Sequence, residues 1–249
     1  MLSIDLNCDM GEGMPHDAAL MRYISSANIS CGAHAGDIDI MRKTIELAIQ
    51  HKVAVGAHPS YPDKVNFGRN DLLNTGFSKQ DLENSLTEQL GLFKDVCAEF
   101  GIAIHHVKPH GALYNRAAKD IEIAELICRI MKQVNLSVCL YGLSGSVMKK
   151  AAFAQGLEFV NEVFADRSYQ DDGSLTPRSQ NNALIATEEQ CMQQVLQMVK
   201  TKTITSINKQ VLSVEADTIC LHGDGPHALR FARLVREEMA KQQIAVKAP

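Results

Sequence analysis

The chain contains no tryptophan, and aromatic residues make up only 5% of its 249 positions. No apolar run approaches the roughly 20 residues that a helix needs to cross a bilayer, so no membrane partner is expected. Lysine and arginine form no block, and the formal net charge is −4, which argues against nucleic acid as a partner. The seven cysteines are odd in number and include no CxxC pair. Neither a disulfide framework nor a cysteine-based zinc site follows from them, and they fit a reducing compartment. A P-loop, GxxxxGKS/T, is missing. Gly142-Leu-Ser-Gly145-Ser146 is too short and lacks the lysine, and Gly11-Glu12-Gly13 does not extend to GxGxxG. HExxH is also absent. The first residues, Met1 to Leu6, lack a basic region followed by an apolar one, so no secretory signal is read and the expected location is cytoplasmic.

What is present is an alternation of short apolar runs with helical periodicity. Strands are expected at Ser3–Asp9, Ala27–His34, Val53–His58, from Ile104, at Ser137–Gly142, Glu158–Asp166 and Thr218–His222. Between them lie helices marked by stripes and caps. Asp37 precedes Ile38, Met41, Ile45 and Ala48. Ser78 precedes Leu82, Leu86, Leu90 and Phe93, with Gly101 as the stop. Ile123, Ile127 and Ile130 form a third stripe, and Thr187 with Gln190 reads as a capping box. Strict strand–helix alternation predicts parallel βαβ units. With no linker or compositional break, residues 1–249 are read as one domain. Seven strands favour a distorted parallel β/α barrel, with an open doubly wound sheet as the alternative. The barrel is preferred because reactive groups follow nearly every strand, and in a barrel those ends converge on one face.

The densest cluster is Ile104-His-His-Val-Lys108-Pro-His110-Gly-Ala-Leu-Tyr114-Asn115. Pro109 stops the strand and leaves Lys108, His110, Tyr114 and Asn115 at its end. Asn7, Asp9 and Glu12 end the first strand. Two carboxylates there can bind a cation, act as a base or hold an amide. His34, His58, His110 and His222 each follow a different strand. A single histidine of this kind is more often structural, but four at one sheet edge point to proton transfer or, with Asp9, to a divalent metal. Lys108 can stabilise an oxyanion or a phosphoryl group. The long loop Tyr61–Gly76 carries Arg69. The sixth strand runs into Glu162, Asp166, Arg167, Tyr169 and Arg178, whose arginines can clamp a carboxylate or phosphate; a merely salt-bridged loop is the competing reading. His222 and Asp224 follow the last strand. Cys8 and Cys31 sit near the rim, where buried, inert cysteine is the commoner state.

Six blocks, in order, resemble the LamB-type lactam-utilisation family: Asp5-Leu-Asn-Cys-Asp-Met-Gly-Glu12, Ala27-Asn28-Ile-Ser-Cys-Gly-Ala-His34-Ala-Gly-Asp37, Gly56-Ala-His58-Pro-Ser-Tyr-Pro-Asp63, Val107-Lys-Pro-His110-Gly-Ala-Leu-Tyr-Asn115, Glu162 through Arg178, and Leu221-His222-Gly-Asp224. The resemblance implies a seven-stranded barrel related to the sugar hydrolase and deacetylase barrels. It implies cleavage of 5-oxo-L-proline to L-glutamate, coupled to hydrolysis of ATP, within a 5-oxoprolinase complex with partner subunits B and C. On that reading Lys108 and Arg167 would hold anionic groups, and His34, His58 and His110 would move protons. Asp9 and Glu12 would activate water or hold the Mg²⁺ that comes with ATP. Two rivals stay open: a metal-dependent deacetylase or sugar hydrolase on the same barrel, and a non-catalytic subunit that presents substrate to a partner.

Overall fold

The computed structural model describes residues 2–223 and 228–249. Among the described residues ten strands occur in chain order: β1 (Ser3–Met10), β2 (Ser26–Ser30), β3 (Ala54–His58), β4 (His106–Val107), β5 (Cys139–Leu143), β6 (Phe159–Phe164), β7 (Thr203–Thr205), β8 (Val211–Ser213), β9 (Thr218–Leu221) and β10 (Ala245–Val246). Strands β1 to β6 and β9 pair in parallel with their neighbours, and β9 pairs again with β1. The sheet therefore closes into a seven-stranded barrel, and the open-sheet alternative fails. β10 adds in parallel to the start of β1.

The helices are α1 (Asp17–Leu20), α2 (Ile38–His51), α3 (Lys79–Glu99), α4 (Gly111–Ala117), α5 (Ile121–Gln133), α6 (Met148–Ala154), α7 (Glu188–Leu196) and α8 (Ala228–Lys241). Their starts follow the cap chemistry. Asp37 accepts from the Ile40 N–H at 2.9 Å. Ser78 and Asp81 form a reciprocal capping box on α3. Only the Thr187 half of the expected box on α7 forms. None of the described helices is long and apolar enough to cross a membrane.

Two expected strands are shorter than their apolar runs. The second stops at Ser30, because Gly32 takes a positive φ of 84° and turns the chain aside, leaving His34 in the following loop. The fourth is only His106–Val107, since Pro109 has no N–H to continue the ladder. The antiparallel hairpin β7–β8 was not anticipated. It stands apart from the barrel sheet and tethers the loop after β6: Asp171 accepts from Ser206 Oγ and from Asn208 Nδ2.

Alternation along β1 sets the barrel's character. Ile4, Leu6, Cys8 and Met10 join the apolar core with the helices, while Asp5, Asn7 and Asp9 are equally buried. These polar residues reach other strands across the lumen. At the lower level Asp5 accepts from Ser26 Oγ, Thr218 Oγ1 and Tyr141 Oη. Above it, Asn7 Nδ2 donates to Glu162 Oε1 and Thr218 Oγ1, and Asn28 Nδ2 donates to Asn7 Oδ1. Barrels of this kind usually fill the lumen with branched aliphatics. Here a hydrogen-bonded polar column fills it and carries the site at its top.

Candidate active site

A cavity of about 920 Å³ opens above the strand ends. Asp9, Glu12, His58, Lys108 and His110 form its floor, Tyr114, Asn115 and His222 contribute to the wall, and Arg69, Arg167 and Arg178 also line it. The convergence expected of a barrel is met: β1, β3 and β4 deliver Asp9, His58 and Lys108 to one place.

Lys108 is the hub. Its Nζ lies 2.9 Å from Asp9 Oδ1, 2.8 Å from Glu162 Oε1 and 3.2 Å from Asn7 Oδ1, with Cys220 Sγ at 3.1 Å. An ammonium has three N–H donors. Those of Lys108 are spent on the protein itself, so the expectation that it grips a substrate anion is corrected: it fixes two carboxylates and an amide. Burial works against its charge, but Asp9, Cys220 and Glu162 raise the ammonium well above the usual lysine range. Burial likewise works against Asp9, yet His58 and Lys108 hold its carboxyl well below the usual range.

Beside this hub stand three imidazoles and Glu12, all buried. His34 Nε2 lies 2.9 Å from Glu12 Oε1, and His110 Nδ1 lies 2.9 Å from His58 Nε2 and 3.4 Å from Glu12 Oε1. His58 Nε2 is 3.3 Å from Asp9 Oδ2. The rings of His34 and His110 stack at 3.8 Å. Burial and neighbouring His58 push His34 down to about 3, and burial with His34 and His58 pushes His110 well below the usual histidine range. One donor atom from each of Glu12, His34, His58 and His110 falls within 4.8 Å of the others. Gly68 permits the approach of the loop Tyr61–Gly76. Its φ is +63°, and a Cβ there would meet both His34 Cβ and His110 Cδ2 at 3.0 Å.

The remaining expected residues divide. His222 Nδ1 donates to Asp166, 3.0 Å from either carboxylate oxygen, and the His222 N–H donates to Asp166 Oδ2 at 3.1 Å. His222 is thus tied to Asp166, not grouped with the other three histidines. Arg167 does not offer a free clamp. Its Nη2 donates to Thr176 O at 2.6 Å and its Nε to Ala183 O at 3.3 Å, stapling the loop, while burial and Arg178 lower it to about 10. Arg69 and Arg178 are exposed at the rim, as is Asn115, and Tyr114 is buried against Phe164. Asn28 braces Asp9 from below at 2.8 Å. Cys8 and Cys31 are buried with raised thiols, the inert reading. Asp224 lies outside the described residues.

Sequence reasoning passed over His106. It is fully buried, donates to Asn28 Oδ1 at 2.7 Å and stacks on Tyr141 at 4.0 Å. Gly56 makes room for it, since a Cβ there would fall 2.1 Å from His106 Nε2. The available signal was position: His106 and Lys108 are two apart, so they share a strand face.

Residues 4–249 match the model of the LamB/YcsF family. The chain belongs to that family. Among curated LamB/YcsF relatives, a Tolumonas auensis protein named as the A subunit of 5-oxoprolinase is 48% identical over 253 residues, covering all of both chains. A structure described as a lactam utilization protein from Thermus thermophilus superposes with a TM-score of 0.91 at 35% identity, again over the whole of both chains. The catalytic domain of a peptidoglycan N-acetylglucosamine deacetylase from Eubacterium rectale aligns with a TM-score of 0.53 at 13% identity, covering 99% of this chain and 87% of that one. This last likeness shows a shared barrel and no more.

Proposed function

We propose that this chain is the A subunit of an ATP-dependent 5-oxoprolinase, which acts with partner subunits B and C to convert 5-oxo-L-proline and ATP into L-glutamate, ADP and phosphate. The observation that carries this reading is the cavity itself. Asp9, Glu12, His58 and His110 lie on its floor, Lys108 fixes Asp9, and Arg69 and Arg178 stand at its rim. Full-length likeness to proteins named as the A subunit of 5-oxoprolinase supports the substrate class.

An unstrained lactam is a stable amide. Transfer of a phosphoryl group to its oxygen makes the ring carbon electrophilic. Water then adds to that carbon and loses a proton to the protein, and the ring nitrogen takes a proton and leaves. The product is an acyl phosphate, and a second water hydrolyses it to glutamate and phosphate. Arg69 and Arg178 pair with the substrate carboxylate and the phosphoryl oxygens. His222, with Nδ1 committed to Asp166, has its other nitrogen for proton transfer, in the arrangement by which a carboxylate orients a general base. Asp9, held ionised by Lys108, stabilises positive charge as the ring nitrogen gains its proton. Mg²⁺ prefers oxygen donors, and Asp9 and Glu12 face ammonium and imidazole nitrogen instead, so the Mg²⁺ of ATP is not assigned to them.

The test is reconstitution. The chain with its B and C partners, 5-oxoproline and MgATP should release glutamate and ADP in equal amounts. Omission of the chain or of ATP should abolish glutamate release. Glutamate release from 5-oxoproline without ATP, or none from the full mixture, overturns the reading. So does deacetylation of an N-acetyl sugar by the chain alone, if lactam turnover is absent.

A further inference from the structure

The imidazoles of His34, His58 and His110 have one nitrogen each committed outward. His58 Nδ1 lies 2.7 Å from the Lys108 carbonyl, and His110 Nε2 lies 3.0 Å from the Phe67 carbonyl. A carbonyl can only accept, so both nitrogens carry hydrogen. His34 Nδ1 lies 2.9 Å from Ser60 Oγ, whose own hydrogen goes to the Tyr61 carbonyl at 2.7 Å. His34 Nδ1 is therefore also a donor. Gln89 fixes Ser60 in turn: its Oε1 accepts from the Ser60 N–H at 2.9 Å and its Nε2 donates to the Ser60 carbonyl at 2.8 Å.

With the rings neutral, the opposite nitrogens bear lone pairs, and all three turn inward onto acceptors. His34 Nε2 faces Glu12 Oε1 at 2.9 Å, and His58 Nε2 faces His110 Nδ1 at 2.9 Å. His110 Nδ1 also faces Glu12 Oε1 at 3.4 Å. Acceptor facing acceptor in a dry place is repulsive unless something positive lies between. Protons relieve it only if two are added, one to His34 or Glu12 and one to His58 or His110. A single divalent cation supplies the same charge at one point.

We propose that Glu12, His34, His58 and His110 bind one divalent transition-metal ion of the zinc type, through three imidazole nitrogens and one carboxylate oxygen. The donor set is one that suits zinc, cobalt, nickel or iron and disfavours Mg²⁺ and Ca²⁺. The spacing agrees. Donors about 2.1 Å from a tetrahedral centre stand about 3.4 Å apart, and the contacts among these atoms scatter about that value at 2.9, 2.9, 3.4 and 4.0 Å. The outer contacts agree independently. Metal-bound histidines regularly donate the second ring N–H to a carbonyl or other acceptor that fixes the ring, and all three rings do so here. His222 stays outside the set, since its donor atom falls in a separate group with Asp9 and Cys220. The proposal rests on donor geometry and stands apart from the lactam reading.

The experiment uses untagged full-length protein purified without added metal, analysed for metal, stripped with a chelator and titrated with Co²⁺. One equivalent should bind, with a visible absorption band from a nitrogen–oxygen site, and millimolar Mg²⁺ should not compete. His34→Ala and Glu12→Gln should each weaken Co²⁺ binding by about 100-fold or more, with the fold checked by circular dichroism; outer-contact changes alone cost 10–100-fold in such sites. Should His34→Ala fail to fold, the isosteric Glu12→Gln decides. No visible band with less than about 0.1 equivalent bound overturns the proposal. So does undiminished binding in folded Glu12→Gln.

Discussion

The Lys108 ammonium lies 2.8 Å from Glu162 Oε1, with Lys108 only 2% exposed and Glu162 fully buried. The same ammonium reaches Asp9 at 2.9 Å, so one buried cation serves two carboxylates. Removing one partner from such a pair is far worse than replacing both, because charge is left buried and unpaired. Lys108→Met should lower unfolding free energy by roughly 3–5 kcal/mol at pH 7. Part of that loss should return as the pH falls and the orphaned carboxyls take up protons. Urea titrations at several pH values measure this. A midpoint equal to that of the unaltered chain would show that the cation is not structurally required.

Gly56 and His106 form a size pair. A methyl group at position 56 would overlap the His106 ring, and the ring cannot retreat, because Asn28 holds its Nε2 and Tyr141 stacks on its face. Gly56→Ala should destabilise by roughly 2–3 kcal/mol or more, at the upper end of overpacking costs. Gly56→Ala combined with His106→Ala should recover part of that loss. If the double variant is less stable than the sum of the two single changes, the size pairing is wrong.

Asp166 supplies the pH dependence. Burial alone would raise its carboxyl, but His222 and the His222 backbone N–H bring it below the ordinary value of 3.8. A carboxyl lowered in the folded state stabilises the fold fully above the unfolded value, and that contribution is lost as pH falls through the folded value. Between about pH 5 and pH 2 the unaltered chain should lose stability more steeply than Asp166→Asn, and at pH 7 the variant should be the less stable of the two. Chemical denaturation across that range gives both curves, and parallel curves would remove Asp166 from the acid limb.

Much of this architecture was legible because local signals agreed with one another. Asp37, Ser78 and Thr187 cap the helices they precede, and seven apolar runs became the seven barrel strands. Asp9, Glu12, His34, His58, Lys108 and His110 converge because parallel strands in a closed barrel share one carboxyl-terminal face. What stayed hidden depends on contacts distant in sequence. Polar alternation on β1 reads like a solvent face, yet Asp5 and Asn7 point into the lumen, where Ser26, Thr218 and Glu162 satisfy them. Arg167 looks like an anion clamp until the loop folds back and presents the Thr176 and Ala183 carbonyls. The hairpin β7–β8 went unread, because Thr203-Ile-Thr205 and Val211-Leu-Ser213 fall inside a βαβ rhythm that leaves no place for antiparallel pairing.

The central claim is that the barrel mouth opens the lactam, and Asp9 is where it is most exposed to test. Asp9→Asn keeps the shape and removes the charge that Lys108 and His58 face. The measurement is glutamate release from 5-oxoproline and MgATP by the chain reconstituted with the proposed partner subunits B and C. With circular dichroism unchanged, the rate should fall by at least about 10²-fold, the scale of a lost proton-transfer or electrostatic contribution. Turnover at the rate of the unaltered chain would contradict the account.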